Sequence, residues 1–172
     1  VERRRCNHQP ICSPNTPKCC LQCVPNCCCI IMADTKRELI LSRIKSNLDA
    51  ITGATVYRSR VEPLARGEVP AVIVEPVNDQ PNDTIVYNKI DWTMRVRVTT
   101  LVRAALPDDS SDTYSQQVHL LLMADQSVGG YALDLTPDRT DFELYEADVP
   151  LGVISQDFLV KYRTSRTDLT TG

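Results

Sequence analysis

The clearest pattern in the chain is a strict alternation over residues 91–104, DWTMRVRVTTLVRA. Trp92, Met94, Val96, Val98 and Val102, with Thr100, fall on one side; Thr93, Arg95, Arg97, Thr99, Leu101 and Arg103 fall on the other. Period-two alternation sends successive side chains to opposite faces, so this segment predicts a strand with one buried face. At ~3.3 Å per residue it would reach about 40 Å, beyond the usual strand length. It is expected to bend at a bulge or to extend past its own domain toward a partner. The row Arg95, Arg97 and Arg103 reads either as a solvated face protecting a sheet edge or as a subunit contact or lumen-facing surface.

Around that strand the periods change. Ile40, Leu41, Ile44, Leu48 and Ile51 recur at helical spacing, with Asp34 or Thr35 as cap, Glu38 in the first turn and Gly53 beyond the end. "ATVYRSR" (54–60) and the nearly continuous apolar run "VPAVIVEPV" (69–77) predict strands. "NDQPND" (78–83) predicts a turn, after which "TIVYNKI" (84–90) could pair back. "LPDDSSDTYSQQ" (106–117) reads as a loop leading into a second helix capped by Ser110, Ser111 or Asp112 and buried through Tyr114, Val118, Leu121 and Leu122. Gly129–Gly130 make a turn into a short strand that Pro137, Asp138 and Arg139 break, and "DFELYEA" (141–147) is a separate strand. "LGVISQDFLVKYRT" (151–164) alternates again, with Ile154, Gln156, Phe158, Val160 and Tyr162 on one side. The tail "SRTDLTTG" is expected to be loose without a partner. The order helix, strands, helix, strands indicates an α+β fold: a mostly antiparallel β-sheet with two main helices packed on one face.

Composition separates residues 1–31 from this body. All eight cysteines lie at or before Cys29. Cys20-x2-Cys23 with Cys27, Cys28 or Cys29, and His8, offers thiolate and imidazole ligands for zinc, but a paired second knuckle at zinc spacing is missing. A disulfide module would suit a small secreted domain, yet adjacent cysteines cannot all pair without strain. The segment also has no helical or strand period, which favours a third reading: translated upstream sequence, with Met32 as the start. The expected organisation is therefore a Cys-rich irregular segment at 1–31 and one α+β domain at 32–172. No apolar run reaches the length of a membrane span.

Charge and motifs narrow the function. Residues 1–32 carry four cations against Glu2, a net of +3, so the rest carries −6 of the total of −3. An acidic body does not suit a nucleic-acid binder, which needs a concentrated basic face. No phosphate loop, dinucleotide fingerprint or nucleophile elbow occurs. His119 has no Cys or carboxylate at ligand spacing, Asp108 and Asp109 sit in a predicted turn, and Glu143 and Glu146 point to opposite faces of a strand. The expectation is a non-enzyme with no catalytic residue, no metal site in the body and no cofactor.

From about Ala33 to Leu169 the chain resembles the tail terminator (tail-completion) proteins of long-tailed bacteriophages. The resemblance rests on "LDAITGATVYRSR", "PAVIVEP", "DWTMRVRVTTLVR", "TYSQQVHLLLMAD", "GGYALDL" and "FLVKYRTSRTDL", in that order. It implies a small subunit of a homo-oligomer, a hexameric ring at the head-proximal end of the virion tail, assembled in the host cytoplasm. Such a ring caps the tail tube, stops its polymerisation and joins the tail to the head. Its partners would be the tail tube protein, a neck or head–tail connector protein and, in a contractile tail, the sheath protein. No membrane and no specific nucleic-acid binding are implied; DNA would pass through the lumen, which an acidic body tolerates. Subunit contacts are placed on Arg95, Arg97, Arg103, Arg163 and Arg166, and contacts to tube or neck on loops 78–89 and 104–112. The alternatives are another tail or neck subunit (tube, neck or sheath-associated) and a Cys-rich zinc-binding adaptor.

Overall fold

Thr35 starts the first element: its side-chain oxygen accepts from the Glu38 amide, 3.3 Å away, and the helix α1 runs Lys36–Leu48. The computed structural model describes residues 33–82 and 86–172. The zinc, disulfide and upstream-sequence readings of 1–31 therefore lie outside the described residues. Ile40, Leu41, Ile44 and Leu48 are buried along one side of α1, as their spacing predicts.

The strands are β1 (Thr55–Arg58), β2 (Ala71–Asn82), β3 (Lys89–Arg103), β4 (Asp134–Tyr145) and β5 (Leu151–Ser165); the second helix, α2, spans Pro107–Met123. They form one sheet in the order β1-β2-β3-β5-β4, with only β1 and β2 parallel. The expected α+β class holds. Val72, Val74, Met94, Val96, Val98, Leu135, Phe158, Val160 and Tyr162 meet α1 and α2 in a single core, so both helices lie on the same face.

Several local expectations are corrected. The predicted turn at 78–83 is strand as far as Asn82, because a register shift between Pro76 and Asn78 absorbs the first proline. A bulge tolerates a residue that cannot donate to the ladder. The predicted break at Pro137–Arg139 is another such shift, and the two short strands expected there are one, β4. The helix expected after a loop at 106–117 begins at Pro107, which occupies the first helical position, with Asp108 and Asp109 in the first turn. Proline there gives up an amide that has no helical partner anyway, and the acids oppose the positive end of the helix. The tail is held by the chain itself: Leu169 O accepts from Lys36 N at 2.9 Å, Thr171 O accepts from Ser165 N at 2.8 Å, and Asp168 receives the amide and hydroxyl of Thr170.

The long strand β3 resolves the question of its length. It neither bulges against β5 nor stands free: all 15 residues pair with β5, from Lys89 opposite Ser165 to Arg103 opposite Leu151, while β2 pairs its other side. β3 is central, so the edge-protecting reading of its arginines is wrong. The edges belong to β1 and β4.

A candidate interaction surface

The face of the sheet away from the helices carries the odd-numbered residues of β3 and β5. It brings together the arginines read from the alternation with acids far along the chain. Asp157 sits opposite Arg97 in register, and its side chain is completely covered although α1 and α2 pack on the other face. Arg97 holds it in a two-pronged pair, Nε to Oδ1 at 2.7 Å and Nη2 to Oδ2 at 3.0 Å. Arg139 adds an Nε bond to Oδ2 at 3.2 Å, and Arg95 stands 3.8 Å away while pairing Asp138 at 3.0 Å. The Arg97 hydrogen bond outweighs burial and lowers the Asp157 carboxyl below its ordinary range, while Asp157 raises Arg97. Further down the same face Arg163 grips Asp91 with Nε and Nη2 at 2.6 and 2.9 Å, and is raised by that bond.

Of the five arginines named from the sequence, three are thus tied into pairs within the chain. Arg166 is exposed and its amide donates to Asn88 O at 3.1 Å. The Nε of Arg103 is buried and meets no hydrogen-bond acceptor among the described residues. Arg95 Nε is likewise buried without an acceptor, but Arg95 pairs Asp138, whereas Arg103 has no carboxylate partner among the described residues.

Arg103 lines a cleft of about 260 Å³ at the upper end of this face. Residues 59–70 cross the sheet there as a strap. Inside the strap Arg60 grips Glu68 with two nitrogens at 2.9 and 2.8 Å and lies 4.5 Å over the Tyr57 ring; Ala65 N closes on Glu68 at 2.7 Å. The strap reaches the β4–β5 turn through Arg66 and Asp148, 2.8 Å apart and both exposed. The lining of the cleft comes from Glu62, Pro63, Leu64 and Val69 of the strap and from Ile73, Leu101, Arg103 and Leu151 of the sheet.

The edge strand β4 is the other unusual feature. It has 12 residues, and among the described residues β5 is its only strand partner. Phe142, Leu144 and Tyr145 keep 66%, 65% and 51% of their surface exposed. Residues 142–150, FELYEADVP, are all exposed, the longest such run among the described residues. A long edge with exposed apolar side chains is what a sheet presents to another chain. The other edge is blunter: β1 covers β2 only over 71–74, and the remainder of β2 carries Pro76 and Pro81. Among the described residues of the loops expected to meet tube or neck, 78–82 and 89 are strand and 107–112 are helix, with turns or bends at 86–88 and 104–106.

On the helix side, Tyr162 donates to Asp79 Oδ2 at 2.5 Å and Arg37 Nε donates to the same oxygen at 2.7 Å. Burial first, then Asp79, raises the Tyr162 hydroxyl well above its ordinary range. Trp92 stacks near Tyr162 and donates to Thr164 at 2.9 Å. His119 is exposed on α2. Sequence reasoning missed Asp157, Asp138 and Arg139 as members of the charged face. An acid on the polar side of the 151–164 alternation was the available signal, but its strand partner was not.

No family model matches the chain, and no curated protein matches it. Among solved structures, it is similar to a chain from the virion of a native gene transfer agent particle, at 13% identity and a TM-score of 0.41. The match covers 75% of this chain and 92% of that one. At that degree of superposition the likeness decides neither fold nor function.

Proposed function

We propose that this chain is a structural subunit of a phage-type tail, a tail terminator that assembles with identical copies into a closed, hexameric ring. The ring caps the tail tube at its head-proximal end, stops tube growth and offers its other face to the neck. It is a building block and not an enzyme. The Asp157 carboxylate and the arginines around it are occupied with one another, as in a structural ion-pair network.

The observation that carries this reading is the outer edge of β4, whose β5 pairing leaves one side of a 12-residue strand open, beside the exposed Phe142 and Leu144. A monomer keeping such an edge in solution is prone to open-ended association. A head-to-tail contact whose rotation closes removes the edge and limits growth.

The test is assembly. Light scattering and negative-stain images are expected to show single rings, and added rings are expected to halt polymerisation of the cognate tube protein. Leu144→Lys is expected to leave monomers with unchanged far-UV circular dichroism. Open stacks would reassign the chain to a tube subunit. A wild-type monomer at the highest attainable concentration would end the ring reading.

A further inference from the structure

Resting on the ring reading, we infer that the cleft beneath the 59–70 strap is the socket for the neighbouring copy's 142–150 segment. An apolar side chain of that segment enters the cleft, and one of its carboxylates reaches Arg103.

Two sides of one chain match each other. The cleft has apolar walls from the strap (Pro63, Leu64, Val69) and from the sheet (Ile73, Leu101, Leu151). A volume of about 260 Å³ is enough for a large side chain and part of its backbone. Its one cation is Arg103, and the Nε of that residue is covered by the protein with no acceptor among the described residues. A covered guanidinium N–H without a partner is costly, and a carboxylate is its best acceptor, fitting the planar fork. Arg95, Arg97, Arg139 and Arg163 on the same face already have carboxylates. Arg103 is thus the arginine of this face left for an incoming acid.

The segment 142–150 supplies that chemistry. Phe142, Leu144, Tyr145 and Val149 are exposed apolar groups, and Glu143, Glu146 and Asp148 lie between them. Asp148 already holds Arg66 of its own strap and one Glu143 oxygen accepts from the Tyr145 hydroxyl, which leaves Glu146 and the second Glu143 oxygen for a neighbour's Arg103. Glu62 also lines the cleft, and like charges repel, so an incoming carboxylate is favoured near Arg103 and disfavoured near Glu62. The segment and the cleft are different patches that adjoin at Leu151 and at the Arg66–Asp148 pair, and a contact between unlike patches of two copies is heterologous.

The experiment places a photo-crosslinking amino acid, p-benzoylphenylalanine, at position 144 of the full chain. Isotopically heavy and light protein are mixed, and crosslinked peptides are identified by mass spectrometry. The expected product joins position 144 of one copy to residues 62–73, 101–103 or 151 of another. Arg103→Glu is expected to weaken self-association at least tenfold, with recovery in a mixture containing Glu143→Lys/Glu146→Lys chains, whose lysines meet the new acid. Rings whose crosslinks map elsewhere, or an Arg103→Glu variant that assembles like wild type, would overturn the socket and leave the ring standing. Crosslinks confined to single chains in a protein that stays monomeric would overturn both.

Discussion

Replacing Asp157 by Asn keeps the shape of the side chain and removes the charge that three arginines surround. In the folded protein this carboxylate takes a two-pronged bond from Arg97 and one bond from Arg139, and its own side chain has no exposed surface. A hydrogen bond involving a charged group contributes roughly 1.5–3 kcal/mol. Removing one partner of a buried pair costs about 3–5 kcal/mol, because the remaining charge is stranded. Here the stranded arginines can still reach water, since their side chains are 28–53% exposed. Solvent screening of that kind pulls the estimate down, to about 2–3 kcal/mol. The loss should appear in urea unfolding as a lower midpoint with an unchanged slope. The pH dependence is the sharper part. The folded-state pKa of Asp157 is lowered, so its stabilisation is complete above the ordinary carboxylate range near pH 4 and fades as the pH falls through the folded value. Wild type and Asp157→Asn should therefore differ most at neutral pH and converge in acid. A difference under about 0.5 kcal/mol at pH 7, of the size of an ordinary surface substitution, or a gap that stays constant down to acid unfolding, would refute the reasoning.

Two further expectations follow from local geometry. Tyr162→Phe removes the donor to Asp79 while Arg37 remains, so unfolding should become easier by about 1–2 kcal/mol. Because the folded-state pKa of Tyr162 is raised, its contribution is intact below the ordinary phenol value and is lost as the pH rises through the folded one; ultraviolet titration of the native protein should show Tyr162 ionising above the ordinary phenol range. Gly152→Ala would set a Cβ 2.9 Å from Pro107 Cβ and 3.0 Å from its carbonyl oxygen. The start of α2 would have to move, at a cost of roughly 1–3 kcal/mol by thermal or urea unfolding, whereas Gly67→Ala, with open space around it, should be neutral in the same measurement.

The sequence by itself determined which face of each long element is buried. Met94, Val96, Val98 and Val102 on β3, and Ile154, Phe158, Val160 and Tyr162 on β5, are in the core because a two-residue period can satisfy only one face. The α1 stripe and its Thr35 cap were legible for the same reason: both are properties of neighbours within one turn. Elements broken by proline were not legible. Pro76 and Pro137 read as ends of strands because a proline cannot donate to a ladder, yet both stand beside register shifts that accommodate them. The arginine row was visible as a pattern and opaque as chemistry. What Arg97 does depends on Asp157, 60 positions away, and on the antiparallel register that sets them opposite each other. Only the tertiary structure made β3 central and β4 an edge, paired Arg95, Arg97 and Arg163, and left Arg103 Nε without an acceptor among the described residues. Local periodicity fixes the side toward which a residue points; the order of strands decides what it meets there.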